Sequence, residues 1–326
     1  MGEAVQSLTD AEVSRRLEWR PLIDALEAAF QEGGDSPPRP HYDIQVPGEE
    51  NGALLLMPAW REGRHIGLKT VTVFPGNAER MKPSVNAQYL LFSATSGALV
   101  AILEAGALTA RRTAAASALA SSYLSQPNSK RLLIVGTGRL SPNLAAAHAA
   151  VRDFDDVAIW GRDISKAQKI AAELVAAGLP ARAGQNLEAE ARGADVISCC
   201  TLSREPLVRG EWLKAGAHLD LVGAFTPEMR ETDDAALIRS SVFVDTFEGA
   251  LSESGELVQA LASGAITRRD IQASLFELSR GEHQGRGAGD EITLFKSVGC
   301  SLEDLAAAEL CIASPSSPTN DAPTAS

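Results

Sequence analysis

Three groups of residues in this chain could do chemistry. Lys69 lies in "LKTVTVF", where strand alternation places it on the same face as Val71 and Val73. An ammonium on an apolar face is costly unless it meets an anion or gives up its proton. Lys69 is therefore a candidate ligand-binding or catalytic residue, the alternative being a strand-end lysine that reaches out to water. Arg111 and Arg112 occur together in "LTARRTAAASALA". With Thr109 as N-cap they would fall in the first turn of a helix, where the dipole disfavours cations by some tenths of a kcal/mol each. Two arginines at that end imply an anion, either a carboxylate or a phosphate, which Arg binds bidentately. Salt bridges to acidic neighbours are the alternative, and Glu104 is the expected structural partner of Arg111. Arg39, flanked by prolines in "PPRPHY", could be aimed into a cleft or simply be solvated.

The third group is a loop. "LLIVGTGRLSPNLAAAHAA" sets Gly136 and Gly138 between a strand and a helix. Two glycines there allow a tight turn and let backbone N–H groups approach a pyrophosphate at the helix N-terminus. The third glycine of the G-x-G-x-x-G pattern is replaced by Ser141, so the match is partial. An NAD site places an acidic residue about 20 residues after the loop. Here the next strand ends "VAIWGRD", with Arg162 at the tip, which suits a 2′-phosphate; Asp163 could instead serve a ribose hydroxyl. The balance favours NADP(H) over NAD(H).

The elements that must position these groups fall into two textures. "LTDAEV" carries a capping box, Thr9 with Glu12, which predicts a helix to about Leu17, with a second helix from Pro21 to Phe30. From Tyr42 to Leu103 the chain reads as strands punctuated by Gly and Pro, with no helix between them, so an antiparallel sheet is expected. After "QPNSKR" strands alternate with helices: "RLLIV", "VAIWG", "ADVISCC", "HLDLVG" and "VFVDT". That alternation predicts a parallel sheet with crossover helices. The fold class is α/β.

The totals narrow the partners. With 326 residues the chain has room for two domains. A formal net charge of -12 argues against nucleic acid and against an anionic membrane surface. The apolar runs are too short to span a bilayer, and "MGEAVQSLTDAEVSRR" lacks the apolar core of a signal peptide. Cys199, Cys200, Cys300 and Cys311 show no metal-ligand spacing, so no metal is expected, and reduced thiols in the cytoplasm are the natural reading. His41, His65, His148, His218 and His283 are scattered and read as solvated or core residues.

Taken together, "LLLMPAW" (54–60), "GLKTVTVFPGN" (67–77), "LTARRTAAASALA" (108–120), "VGTGRLS" (135–141), "TLSREPLV" (201–208), "VGAFTPEMRE" (222–231), "ESGEL" (253–257) and "LFKSVGCSLEDLAAAEL" (294–310) resemble the ornithine cyclodeaminase/mu-crystallin family nearly end to end. The resemblance implies a homodimer acting on a small imino or amino acid. It implies a substrate and dimerisation domain of α+β type over residues 1–127 and a Rossmann-type dinucleotide-binding domain over 128–300. A helix over 301–313 would return to the first domain, before a Pro/Ser/Thr-rich tail (314–326) expected to be disordered. Carried over residue by residue, Arg39, Lys69 and Arg112 would hold the substrate carboxylate, with Lys69 nearest the reacting carbon and nitrogen. Ser84, Arg112, Thr113, Gly136, Gly138, Thr201 and Ser297 would surround the cofactor. Arg139 and Leu140 beside the phosphate loop, Arg162, and Val222 and Gly223 at a later strand end belong to the same cofactor set. Met57, Phe225 and Val298 would shape the pocket wall beside the nicotinamide.

One position departs from the family's deaminating members. They carry an aspartate in the loop after the fourth Rossmann strand, where this chain has Phe225; Glu228 lies three residues on. Cyclodeamination moves protons among nitrogens and needs a carboxylate relay, whose loss costs about 10²-fold or more. Reduction of a preformed cyclic ketimine needs only a held carboxylate, a hydride and one proton. The expected activity is therefore NAD(P)H-dependent reduction of Δ1-pyrroline-2-carboxylate or its six-membered homologue. The alternatives are an ornithine cyclodeaminase or amino-acid dehydrogenase using Glu228 or a water, and a mu-crystallin-like NADPH-dependent ligand-binding protein with little turnover.

Overall fold

The computed structural model describes residues 4–314, so the expected tail lies, from residue 315 onward, outside the described residues. The chain begins with β1 (Gln6–Leu8), α1 (Asp10–Arg16) and α2 (Trp19–Glu32). The expected capping box is in place: the Thr9 side chain accepts from Glu12 N, and the Glu12 carboxylate accepts from Thr9 N. Strands β2 (His41–Ile44), β3 (Gly52–Trp60), β4 (His65–Val73), β5 (Val85–Ser93) and β6 (Leu99–Glu104) follow, and then α3 (Ala105–Leu124). They form a sheet of order β1-β6-β5-β4-β3-β2, antiparallel except where β1 lies parallel to β6.

Alternation gives that sheet two unlike faces. Met57, Ala59, Lys69, Tyr89, Leu91 and Leu103 point inward and are buried. Leu54, Leu56, Trp60, Leu68, Leu90, Phe92 and Ile102 stand on the other face and are only partly covered. Helix α3 is rich in Ala and Ser and buried along most of its length. Its small side chains let it lie in contact with both β5 of this sheet and β11 and β14 of the next.

The second sheet is built from β7 (Arg131–Val135), β8 (Asp156–Trp160), β9 (Ala181–Ala183), β10 (Val196–Cys199), β11 (His218–Leu221), β12 (Ser241–Val244), β13 (Ile271–Ser274) and β14 (Thr293–Lys296). All its pairs are parallel, in the order β13-β12-β14-β11-β10-β7-β8-β9. Its helices are α4 (Leu140–Ala149), α5 (Ile164–Ala176), α6 (Leu187–Gly193), α7 (Asp234–Ile238), α8 (Phe247–Glu253), α9 (Gly255–Ser263) and α10 (Leu275–Ser279). This is the Rossmann-type architecture that the strand and helix alternation predicts. Helix α11 (Ser301–Ala313) then packs against α2, α3, β3 and β4 of the first sheet.

Two local expectations need correction. Helix α3 begins at Ala105 with Glu104 as N-cap, so Thr109 is interior and Arg111 and Arg112 lie beyond the first turn. The reason is non-local: Asp10 Oδ1 accepts from Ala107 N at 2.6 Å and satisfies the helix end from outside. Glu104 is also not the partner of Arg111. It accepts from Asp10 N, while Arg111 donates to Ser14 Oγ and Leu17 O and stacks 4.5 Å over the Trp19 ring. Strands β1, β9, β13 and β14 are three or four residues long and escaped the sequence pattern.

The two sheets are joined by a buried carboxylate. Asp220 on β11 is fully buried and accepts from Ser117 Oγ on α3, Ser198 Oγ on β10 and His148 Nε2 on α4. Burial works against the charge, yet the bonds from His148 and Ser198 hold its carboxyl below the ordinary 3.8. Truncation would strand three buried polar groups. Asp220→Ala is expected to lower unfolding free energy by about 3 kcal/mol or more in urea titrations. Because the folded carboxyl titrates below its unfolded value, the wild-type contribution is complete above the carboxylate range. It disappears as pH falls through the depressed value, so the gap between wild type and variant should narrow in acid.

Candidate active site

At the end of β7 the chain turns through Gly136, whose φ is +133° and where a Cβ would press against the carbonyl of Cys200. Gly138 faces open space, and α4 begins two residues later. Ser141, standing where a third glycine is usual, donates its hydroxyl to Gly136 O at 2.6 Å and so braces the turn. These residues open onto a cavity of about 730 Å³, walled by Gly136, Thr137, Gly138, Trp160, Arg162, Lys166, Thr201 and Arg204 among others. A glycine turn at the carboxyl end of a parallel sheet, facing a helix N-terminus and basic side chains, fits a dinucleotide phosphate. Asp163 is engaged as N-cap of α5, its Oδ1 accepting from Ser165 N and Oγ. Arg162 has no ion-pair partner among the described residues.

A second cavity, of about 460 Å³, opens between the two sheets and is lined by Arg39, Met57, Thr246, Glu253, Gly299 and Cys300 among others. Arg39 comes from the loop after α2 and is held by Glu253 of α8 in a two-point fork, Nε to Oε1 at 2.9 Å. Met57 stands directly opposite Lys69 in the β3–β4 register. Arg112 lies under Gly299, where a methyl group would overlap its guanidinium.

Behind this cavity the two sequence-identified cations meet two acids. Lys69 Nζ lies 2.6 Å from Asp304 Oδ2, and Lys69 is 2% exposed. Arg112 donates from Nε to Asp304 Oδ1 at 2.9 Å and from Nη1 to Glu303 Oε2 at 2.6 Å. Burial pulls the Lys69 ammonium down to about 8, partly offset by Asp304 and reinforced by the nearby charges of Arg112 and Arg39. Burial also works against Arg112, but Asp304 and Glu303 hold its guanidinium above its ordinary value. Burial pushes the Glu303 carboxyl up to about 7, whereas the two cations keep buried Asp304 below the carboxylate range. Asp304 and Glu303 thus engage Lys69 Nζ and Arg112 Nε and Nη1 from within the chain.

Of the expected site residues, Gly136, Gly138, Arg162 and Thr201 line the first cavity, and Arg39 and Met57 the second. Arg112 and Lys69 line neither, but Gly299 against Arg112 and Met57 opposite Lys69 line the second. Ser84, Thr113, Arg139, Leu140, Val222, Gly223, Phe225, Ser297 and Val298 line neither. Arg139 instead pairs with Asp10 at 2.9 Å. Val298 N donates to Asp245 Oδ2, and Gly223 N to Glu231 Oε2. Phe225 is 46% exposed, and Glu228 in the same loop is exposed as well. Sequence reasoning missed Glu303, Asp304 and Glu253. The visible signal was an adjacent Glu-Asp pair opening "SLEDLAAAEL", a helix whose only other charged residue is Glu309.

The ornithine cyclodeaminase/mu-crystallin family model matches residues 3–316. The chain is 38% identical to a Δ1-pyrroline-2-carboxylate reductase of Paracoccus denitrificans, over 93% of this chain and 94% of that one. It is 36% identical to the ketimine reductase mu-crystallin of Rattus norvegicus, over 89% and 90% of the two chains. Among solved structures, the Thermococcus litoralis Δ1-pyrroline-2-carboxylate reductase in complex with NADH and L-proline superposes with a TM-score of 0.88 at 31% identity, covering 95% of this chain and 97% of that one.

Asp304 raises the Lys69 value, so removing its charge should lower it. In Asp304→Asn the Lys69 amine is expected to titrate below the wild-type value of about 8, measured by pH-dependent acylation and mass spectrometry. An unchanged titration would mean that the ion pair does not govern the ammonium.

Proposed function

The chain belongs to the ornithine cyclodeaminase/mu-crystallin family and is a nicotinamide-dependent oxidoreductase, and we propose that it reduces cyclic ketimine carboxylates, Δ1-pyrroline-2-carboxylate or Δ1-piperideine-2-carboxylate, to proline or pipecolate. The observation that carries this reading is the buried Lys69 ammonium, held 2.6 Å from Asp304 beside Arg112. It offers one transferable proton next to an anion-binding guanidinium, which is what reduction of a C=N bond requires of a protein. Deamination would need a further proton relay. The loop that carries it in cyclodeaminases presents Phe225 here, with Glu228 exposed.

When bound, the nicotinamide supplies the hydride. Arg112, with Arg39, holds the substrate carboxylate and so fixes which carbon faces that hydride. Lys69 donates its proton to the ring nitrogen as the C=N bond becomes a C–N bond, and takes a proton back from solvent. Asp304 keeps the ammonium charged until then. Phe225, 46% exposed and outside both cavities, puts no carboxylate at the position that deaminating relatives use. The domain division read from the sequence, at residues 127 and 300, separates the sheet carrying Lys69 from the one binding the dinucleotide.

NADPH is favoured over NADH because Arg162 and Lys166 both line the dinucleotide cavity while Asp163 is occupied in capping α5. The partly covered apolar face of β3 to β6 is suited to a second copy of the chain, and we take the protein to be a homodimer through that face. All four cysteines are free thiols, as suits the cytoplasm, and no described helix is long and apolar enough to cross a membrane.

Purified protein should oxidise NADPH with five- or six-membered cyclic ketimine carboxylates and release no ammonia from ornithine; the reverse pattern would sink the reading. Since the protonated amine is the active form, kcat/KM should hold below pH 8 and fall above about 8. Lys69→Ala should cost about 10²-fold or more in kcat. Arg162→Ala should raise the KM for NADPH and leave that for NADH almost unchanged. Phe225→Asp should slow imine reduction by about tenfold.

A further inference from the structure

Glu231 lies ten residues after the end of the carboxylate-bearing strand β11, with none of its surface exposed, and all its polar atoms are engaged. Its Oε1 accepts from Thr201 N at 2.6 Å and Thr201 Oγ1 at 2.9 Å, and its Oε2 accepts from Gly223 N at 2.7 Å. Its own N–H donates to Glu256 Oε1 at 2.8 Å, and its carbonyl accepts from Leu207 N and Val208 N. Thr201 follows β10 and lines the dinucleotide cavity, whereas Gly223 follows β11. One carboxylate therefore ties together the loops that leave two adjacent strands. Gly223 makes the approach possible, because a Cβ there would overlap the Thr201 backbone.

Burial pushes the Glu231 carboxyl up to about 7, with the Lys296 ammonium pulling it down and the Glu256 carboxylate adding to the rise. Glu256, also fully buried, lies 3.2 Å from the Lys296 ammonium at the end of β14. The chain next to Lys296 runs through Val298 and Gly299, whose N–H groups both donate to buried Asp245, and Gly299 lines the second cavity. Only a carboxylate satisfies the Glu231 position. A carboxamide offers one acceptor oxygen, and its NH2 would point donors at Thr201 or at Gly223 N–H.

We propose that Glu231 is a positioning residue for the dinucleotide: through Thr201 Oγ1 and the Thr201 and Gly223 amides it sets the spacing of the two loops that close over the cofactor. This rests on the reading of the first cavity as a dinucleotide site. The residue itself touches neither cofactor nor substrate. Its loss loosens the cofactor more than the imine, because the substrate-holding Lys69 and Arg112 come from β4 and α3.

Direct titration of NADPH by energy transfer from protein tryptophan tests this without reference to turnover. Glu231→Gln should raise the NADPH Kd by about tenfold, as loss of a buried charge-assisted contact implies. In steady-state kinetics the rise should fall on the cofactor KM, with less than a twofold rise in the imine KM. Thr201→Val should raise the Kd comparably. The double variant should be little weaker than either single one, because both remove the same linkage. Urea titrations of the same proteins separate a lost spacing from a lost fold. A Glu231→Gln protein that binds NADPH as tightly as wild type overturns the proposal, as do single effects that multiply in the double variant. Should Glu231→Gln fail to fold, Thr201→Val decides alone: an unchanged NADPH Kd overturns the proposal. Wild-type protein that binds neither NADPH nor NADH overturns the dinucleotide reading, and the proposal with it.

Discussion

The site depends on one buried cluster of four charges. Lys69 and Arg112 come from the first sheet and the helix behind it, and Asp304 and Glu303 come from the helix that returns to cover them. Each charge alone would be prohibitive at this depth; together they are mutually bonded, and their formal charges balance when Glu303 is ionised. The cluster also explains packing that looks unrelated to chemistry. Helix α3 is built of small residues so that it can lie close to both sheets while presenting Arg112. Tyr89, buried next to Asp304 with its hydroxyl unpartnered, requires Gly67 opposite, where a Cβ would overlap the phenol oxygen.

The parallel sheet supplies the other half of the site by a different device. Its strands end together, and the loops leaving them need partners for their N–H groups in a place too crowded for water. Buried carboxylates meet that need: Glu231 between β10 and β11, and Asp245 beneath the loop after β14.

Much of this was legible from residue types. Period-two alternation identified Lys69 as inward-facing, because a strand has only two faces. The glycine turn at Gly136 and Gly138 was legible because strand, turn and helix follow one another locally. Arg112 was singled out on a mistaken premise, since the helix starts four residues before Thr109 and is capped by Asp10 from another element. The counter-charges were not legible. Asp304 and Lys69 are 235 residues apart, and no periodicity connects them. β14 was hidden for a related reason: it ends in a lysine, tolerable in a central strand only because Glu256 reaches it from α9. Phe225 stood out because a carboxylate is expected there in deaminating relatives, although its ring is half exposed and lines neither cavity.

The position of α11 has a consequence for how the molecule comes into being. A ribosome delivers the sheet bearing Lys69, and then Arg112, long before the residues that neutralise them. Until α11 has emerged, that half-molecule holds two uncompensated cations facing the place where its last helix will dock. The nascent chain therefore cannot mature this cluster piece by piece. Docking of α11 supplies both the hydrophobic cover and the electrical balance in one event.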